Sequence, residues 1–339
     1  MTLAGFAILC GLQTLVGFAY DAVVGDPHGF PHPARLVGRL IAWQEVRLRR
    51  RFRNLRMAGG LLCLGTTFVT AFCTAALMAA LAMLDIRHNA PSRWFSDGFG
   101  TIPWFSIVGG GIVCGIWFSW RSLGAEARKI RRLLQTGLIA DARRELSMIV
   151  GRDTGHLDEK EIVRAVVETV AENAVDGGIS PVFYALLGGP VGVSLFKAAS
   201  TLDSMVGYRN EKYRDLGMVS ARLDDVLNFA PARLALVLIP AGALLAGLNP
   251  LRSLRIGIRD HAQHPSPNSG YGESLFAGAM GLQLGGQASY GGVPSRKPLL
   301  GDRLRESSSR DIARAGRLLY STGAIVAVLV AAGVAAIWP

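Results

Sequence analysis

Glu168, Glu172 and Asp176 fall at i, i+4 and i+8 in ETVAENAVDGGISP, so a helix through them presents one stripe of carboxylates. Three like charges in line repel unless a cation or a basic partner offsets them. Mg2+ is typically held by one or two carboxylates and completed by substrate phosphates. The stripe runs into an apolar stretch that begins at Pro181, and ionisable groups at such a border are costly and usually functional. Asn173 adds a directional hydrogen-bonding group, and Asp176-Gly-Gly reads as the end of the helix. The competing reading is an ordinary solvated polar face.

A second concentration lies in KAASTLDSMVGYRNEKYRDLG, residues 197–217, between two apolar runs. Asp203 suits a metal or a substrate amine; Lys197, Arg209, Lys212 and Arg214 suit phosphate or carboxylate oxygens. Acids interleave with the bases, and Asn210, Tyr208 and Tyr213 add hydrogen-bonding groups, which argues against a simple polybasic lipid contact. Downstream, SARLDDVLNFAPARL supplies Arg222, Asp224, Asp225, Asn228 and Arg233, and its adjacent aspartates point to different faces of a helix. DAVVGDPHGFPHPARLVGRL holds Asp26, His28, His32 and Arg35. Its prolines give a stiff turn rather than a zinc-ligating helix face, so a substrate contact and a plain turn stand as even alternatives. In HPSPNSGYGE, the N–H groups of Asn268, Ser269 and Gly270 precede a short helix and suit an anion. No GxxxxGK[ST] occurs, which excludes a P-loop.

The elements that must position these residues are membrane helices. Half of the 339 residues are hydrophobic and only 18% are charged, below the roughly 25% of soluble domains, and mean hydropathy is +0.32. Apolar windows at 3–20, 58–84, 102–120, 181–196, 226–248 and 318–338 approach the roughly 20 residues that span a bilayer. The expected fold is an all-α, polytopic membrane protein with about four to six membrane segments. The 181–196 window, with Gly188, Gly189 and Pro190, is expected to be broken or re-entrant. The first window has no basic lead-in or cleavage pattern and reads as a retained helix. The net charge of +11 collects in connectors, as the positive-inside rule predicts for cytoplasmic loops, and is not assigned to nucleic acid. One domain, 1–339, is expected to carry a cytoplasmic helical segment at 121–178 and a polar, loop-rich cytoplasmic segment at 249–317. The latter contains one short helix near 273–284. Cys10, Cys63, Cys73 and Cys114 read as buried free thiols.

The ordered set of motifs resembles the adenosylcobinamide-phosphate synthase family, the CobD/CbiB proteins. It comprises GDP…HP at 25–33, LSMIVGRDT at 146–154, VAENAVDG at 170–177, TLDSMVGYRNEKYRDLG at 201–217 and ARLDD…N…PAR at 221–233. SPNSG at 266–270, AGAMGLQLGG at 277–286 and KP-x-x-G at 297–301 complete it. Ser200, Ala174 and Gly178 depart from the expected pattern without removing a charge.

The resemblance implies a multi-pass enzyme of the cell inner membrane with its active site on the cytoplasmic side. It would join adenosylcobyric acid, a corrinoid, to (R)-1-amino-2-propanol phosphate or aminopropanol, with ATP as co-substrate and Mg2+ as cofactor. It would act as a homo-oligomer or beside other late cobalamin-pathway membrane enzymes. On this reading Glu172, Asp176, Asp203 and Asp225 carry catalysis, and Glu172, Asp176, Asp203 and Asp224 hold Mg2+. Lys197, Arg209, Asn210, Lys212, Arg214, Arg222, Asn173, Asp26, His32, Arg35 and Asn268 contact substrates. Competing classes are a non-catalytic membrane regulator on a related scaffold, a transporter, which lacks the expected inverted repeat, and a CDP-alcohol phosphotransferase, which lacks its DGxxAR pattern.

Overall fold

The computed structural model describes residues 2–25, 32–88, 102–208 and 210–338. Five of its helices are long and apolar enough to cross a membrane: Leu3–Val23, Leu55–His88, Glu159–Val206, Met218–Leu245 and Ser309–Ile337. They make the protein a polytopic helical membrane protein. Two compact units are built from alternating parts of the chain.

The first unit comprises Met1–Phe118, Ser180–Leu227 and Ala327–Pro339. Here α1 (Leu3–Val23) packs on α4 (Trp104–Trp117), with α2 (Pro33–Arg51), α3 (Leu55–His88) and α8 (Ser180–Val206) around them. The buried face of α4 carries a run of small residues, Gly110, Gly111, Cys114 and Gly115, between Ile107 and Trp117, and such residues let apolar helices approach closely in a membrane. Asp85 of α3 caps α4, accepting from Phe105 N and Ser106 N at 2.9 Å each and from Ser106 Oγ at 2.6 Å. At 14 residues α4 is shorter than the apolar window at 102–120, because the helix breaks at Phe118. As expected, α8 is interrupted: Gly188 and Gly189 leave helical geometry just before Pro190.

The second unit comprises Ser119–Ile179 and Asn228–Val326, so both polar connectors, 121–178 and 249–317, fold within it. Amphipathic α5 (Trp120–Gln135) and α6 (Ile139–Ser147) pack on α7 (Glu159–Asn173). A capping box starts α7: Asp158 accepts from Glu161 N, and Glu161 accepts from Asp158 N, each at 2.8 Å. The chain then enters this unit again in α9 (Met218–Leu245) and continues through α10 (Pro250–Asp260), a short 3-10 turn, α11 (Ser269–Met280), a β-hairpin and α12 (Ser309–Ile337).

Three sequence expectations are corrected. Asp176-Gly-Gly does not end the helix: Ala174–Ile179 forms a π-turn that joins α7 to α8. Gly178 is needed there for close packing, since a Cβ on it would lie 2.7 Å from the Trp120 ring. The short helix expected near 273–284 is α11, which overlaps that range over 273–280, but residues 284–300 of the loop-rich segment are instead strands β1 (Leu284–Tyr290) and β2 (Val293–Leu300), paired antiparallel with Gln287 opposite Arg296 and a bulge near Gly286. Gly291 and Gly292, both at positive φ, make the two-residue turn that matches strand twist. Among the cysteines, Cys73 is exposed on α3, while the other three are buried.

Candidate functional site

A cluster of charged side chains is buried within the second unit. Glu168 of α7 is 2% exposed and pairs with Arg152, itself buried in the loop after α6. Its other oxygen accepts from Gly285 N of β1 at 2.8 Å, with Arg164 one turn back at 3.8 Å. Arg164 in turn donates to Gln287 O at 2.8 Å, so α7 and the hairpin are tied through charge-assisted bonds. The next residue, Asp153, grips the hairpin tip: it accepts from Ser289 Oγ and Gly292 N at 2.8 Å and from Gly291 N at 3.0 Å. The Gly292 and Gly291 N–H groups and the Ser289 hydroxyl hold its carboxyl below the usual range. The Gly-Arg-Asp triplet at 151–153 thus fixes two elements at once.

Glu273 of α11 completes the cluster. It is 1% exposed, with Lys297 Nζ of β2 and His264 Nε2 at 3.8 and 3.6 Å. Neither of its oxygens, nor His264 Nε2, has a hydrogen-bond partner among the described residues. Burial pushes the Glu273 carboxyl up to about 8 despite Lys297, with Glu168 and Glu172 adding to the rise. Burial and the Lys297 cation lower His264, whose Nδ1 accepts from Ser266 N at 3.0 Å. At neutral pH Glu273 and His264 are therefore both uncharged, and their proximity is not an ion pair. Burial pulls the Lys297 ammonium down, but Glu273, Glu168 and Glu172 outweigh this and raise it. An acid with a near-neutral proton affinity, beside a fixed cation and away from water, is a chemical arrangement suited to proton transfer. A cleft of about 220 Å³ shares Arg164 and Gly285 with the cluster and is also lined by Lys160, Arg303 and Arg305.

Of the residues singled out in the sequence, Glu172, Asn173 and Asp176 lie half-buried in this unit at the end of α7 and in the π-turn. Asn173 Nδ2 donates to Thr169 O at 3.0 Å. Asn268 is buried before α11, its Oδ1 3.4 Å from Arg233 Nη1. The Asn268 and Ser269 N–H groups, expected to face an anion, donate to Ser266 Oγ at 3.3 Å each.

The other candidates belong to the first unit. Lys197 and Asp203 are half-buried on α8; Arg222 is exposed on α9, with Asp224 and Asp225 half-buried beside it. Asn210 Oδ1 accepts from Tyr213 N at 3.0 Å and shapes the turn that carries exposed Lys212 and Arg214. That turn is held to α2 by Arg49, which donates to Lys212 O at 2.8 Å. His32 caps α2 by accepting from Ala34 N at 3.1 Å on Nδ1, which leaves Nε2 to donate to Ile116 O at 3.0 Å; Arg35 is exposed one turn on. Asp26 and Arg209 lie outside the described residues. Among the described residues no three His, Cys, Asp or Glu side chains form a metal-binding group.

Arg152, Glu273 and Lys297 received no role from the sequence. They are too far apart along the chain for any spacing rule to join them, although Arg152 and Lys297 fall inside the GRDT and KP-x-x-G motifs.

Membrane-length helices, a folded polar unit and a buried cluster of charged side chains define a polytopic membrane protein. Residues 14–319 match the family model described as CobD/Cbib protein. The cobalamin biosynthesis protein CobD of Pelobacter propionicus is 43% identical over 309 residues, covering 91% of this chain and 90% of that protein. CobD of Klebsiella pneumoniae is 42% identical over 329 residues (94% and 95%), and CbiB of Salmonella typhimurium is 42% identical over 331 (95% and 97%). No solved structure matches the chain. The chain belongs to the CobD/CbiB family.

Proposed function

We propose that the protein serves in cobalamin biosynthesis and forms the amide between adenosylcobyric acid and (R)-1-amino-2-propanol phosphate, or free aminopropanol, at the expense of ATP. The observation that carries this reading is the family match along 14–319, with relatives named as cobalamin biosynthesis proteins.

The chemistry asks for three things. The γ-phosphoryl group passes to the corrinoid carboxylate and ADP leaves, a step that depends on positioning and charge stabilisation. The substrate ammonium then gives up a proton. Its nitrogen attacks the acyl carbon, the amide bond forms and phosphate departs.

Lys197, Lys212, Arg214 and Arg222, with Arg209, supply cations for the phosphate oxygens. Glu172 and Asp176, both half-buried and close along one continuous helix, provide the one or two carboxylates that Mg2+ takes beside phosphates; Asp203 and Asp224 are the further candidates. Bound Mg2+ would neutralise charge on the phosphates. Asp225 is placed with the catalytic carboxylates, one of which takes the ammonium proton, and Glu273, protonated at neutral pH, is assigned as an acid rather than that base. ATP use places the site on the cytoplasmic side of the inner membrane.

Complementation tests the function. In a cobalamin auxotroph blocked at this amide, the gene should restore growth on cobyric acid. Failure to rescue by a protein shown to reach the membrane would contradict the assignment.

A further inference from the structure

Helix α10 has three faces. At about 100° per residue, Ser253, Ile256, Gly257 and Asp260 fall on one side and are buried. Ser253 Oγ donates to Leu275 O of α11 at 2.8 Å and anchors that side. Leu251, Leu254 and Ile258 form a second face, with Leu251 80% and Ile258 58% exposed. Arg252, Arg255 and Arg259 form the third, alongside the apolar one. The helix follows α9 after one short turn, and the last residues of α9, Leu244 and Leu245, are also exposed. A short helix with an apolar stripe flanked by arginines, joined directly to a membrane helix, has the pattern of one that lies in the bilayer interface.

Beside it opens a cleft of about 610 Å³, lined by Gly247–Arg252, Ala279, Met280, Arg305, Arg314 and Arg317. Four arginines and no carboxylate line it. Three of the guanidiniums are positioned by the protein. Arg252 donates to Gly278 O at 2.6 Å; Arg305 and Arg314 are held by the buried Asp311 at 2.6 and 2.9 Å. Arg317 is exposed, one residue before the apolar run of α12. The cleft therefore lies where α9 ends and the apolar part of α12 begins. Asp311 offsets only one of the four charges.

We propose that this cleft binds the phosphate headgroup of an anionic phospholipid, with the Leu251–Leu254–Ile258 face of α10 lying on the acyl chains beside it. Guanidiniums match phosphate oxygens in geometry and charge. The neighbouring apolar face is what selects a lipid over a soluble phosphate. The inference is independent of the reaction proposed above, since no residue assigned to catalysis lines the cleft.

The full-length protein in detergent tests it. Added phosphatidylglycerol should raise the melting temperature and remain bound in native mass spectrometry, whereas phosphatidylcholine and inorganic phosphate should do neither. Arg255→Glu combined with Arg317→Glu alters two exposed side chains and should leave the circular dichroism unchanged. It should weaken phosphatidylglycerol by at least about tenfold, given roughly 1 kcal/mol for each basic residue near an anionic surface. Equal effects of phosphatidylcholine, a full effect of inorganic phosphate alone, or undiminished phosphatidylglycerol binding by the double variant would overturn it.

Discussion

Glu273 shows how burial changes what a carboxylate can do. In water it would be charged at neutral pH; enclosed on α11, with no hydrogen bond to either oxygen among the described residues, it keeps its proton up to about pH 8. The folded protein holds this proton above pH 4.5, the ordinary value, where the unfolded chain has released it. Stability from this group is therefore complete below about pH 4.5 and is lost progressively as pH rises to about 8. Melting temperatures of the purified protein should fall across that window, and Glu273→Gln should flatten the decline. An identical slope in the variant would show that another group titrates. Nothing in GYGESLF announces this behaviour, because the enclosure comes from β2 and from the segment around His264, both remote in sequence. Glu168 and Glu172 were legible from their i, i+4 spacing; Arg152, which pairs with Glu168, and Lys297, which faces Glu273, were not.

At the scale of elements, apolar runs disclosed the membrane helices, and Gly188-Gly189-Pro190 disclosed the break in α8. The π-turn was hidden, since Asp176-Gly-Gly carries the usual marks of a helix end and only packing against Trp120 explains its continuation. The hairpin was hidden for a different reason: β1 and β2 lack clean alternation, and their signal is confined to the Gly291-Gly292 turn. That turn carries structural weight because β2 bears Lys297 and β1 presents Gly285 to Glu168. Replacing both glycines with alanine should cost roughly 1–2 kcal/mol per residue for left-handed backbone. Hydrogen exchange of the strand amides should speed up, while Asn-Gly in the same place should be tolerated. Unchanged exchange in the alanine variant would mean that Asp153 alone holds the hairpin tip.

At the scale of the molecule, the chain puts its apolar helices and its polar connectors to separate uses. The residues at 121–178 and 249–317, far apart in sequence and rich in arginine, fold into one unit around the Glu168–Glu273 cluster. The membrane class followed from composition, and family membership follows from an ordered set of motifs and from relatives that match along more than nine-tenths of the chain. The reaction itself is the central claim. Its most direct measurement combines purified protein with adenosylcobyric acid, aminopropanol phosphate, ATP and Mg2+, and follows corrinoid product and ADP together. The account predicts one adenosylcobinamide phosphate per ADP, no product when ATP is omitted, and a loss of roughly 10²- to 10⁴-fold for Asp176→Ala and Glu273→Gln. Amide formation without ATP, or near-normal turnover by both variants, would contradict it.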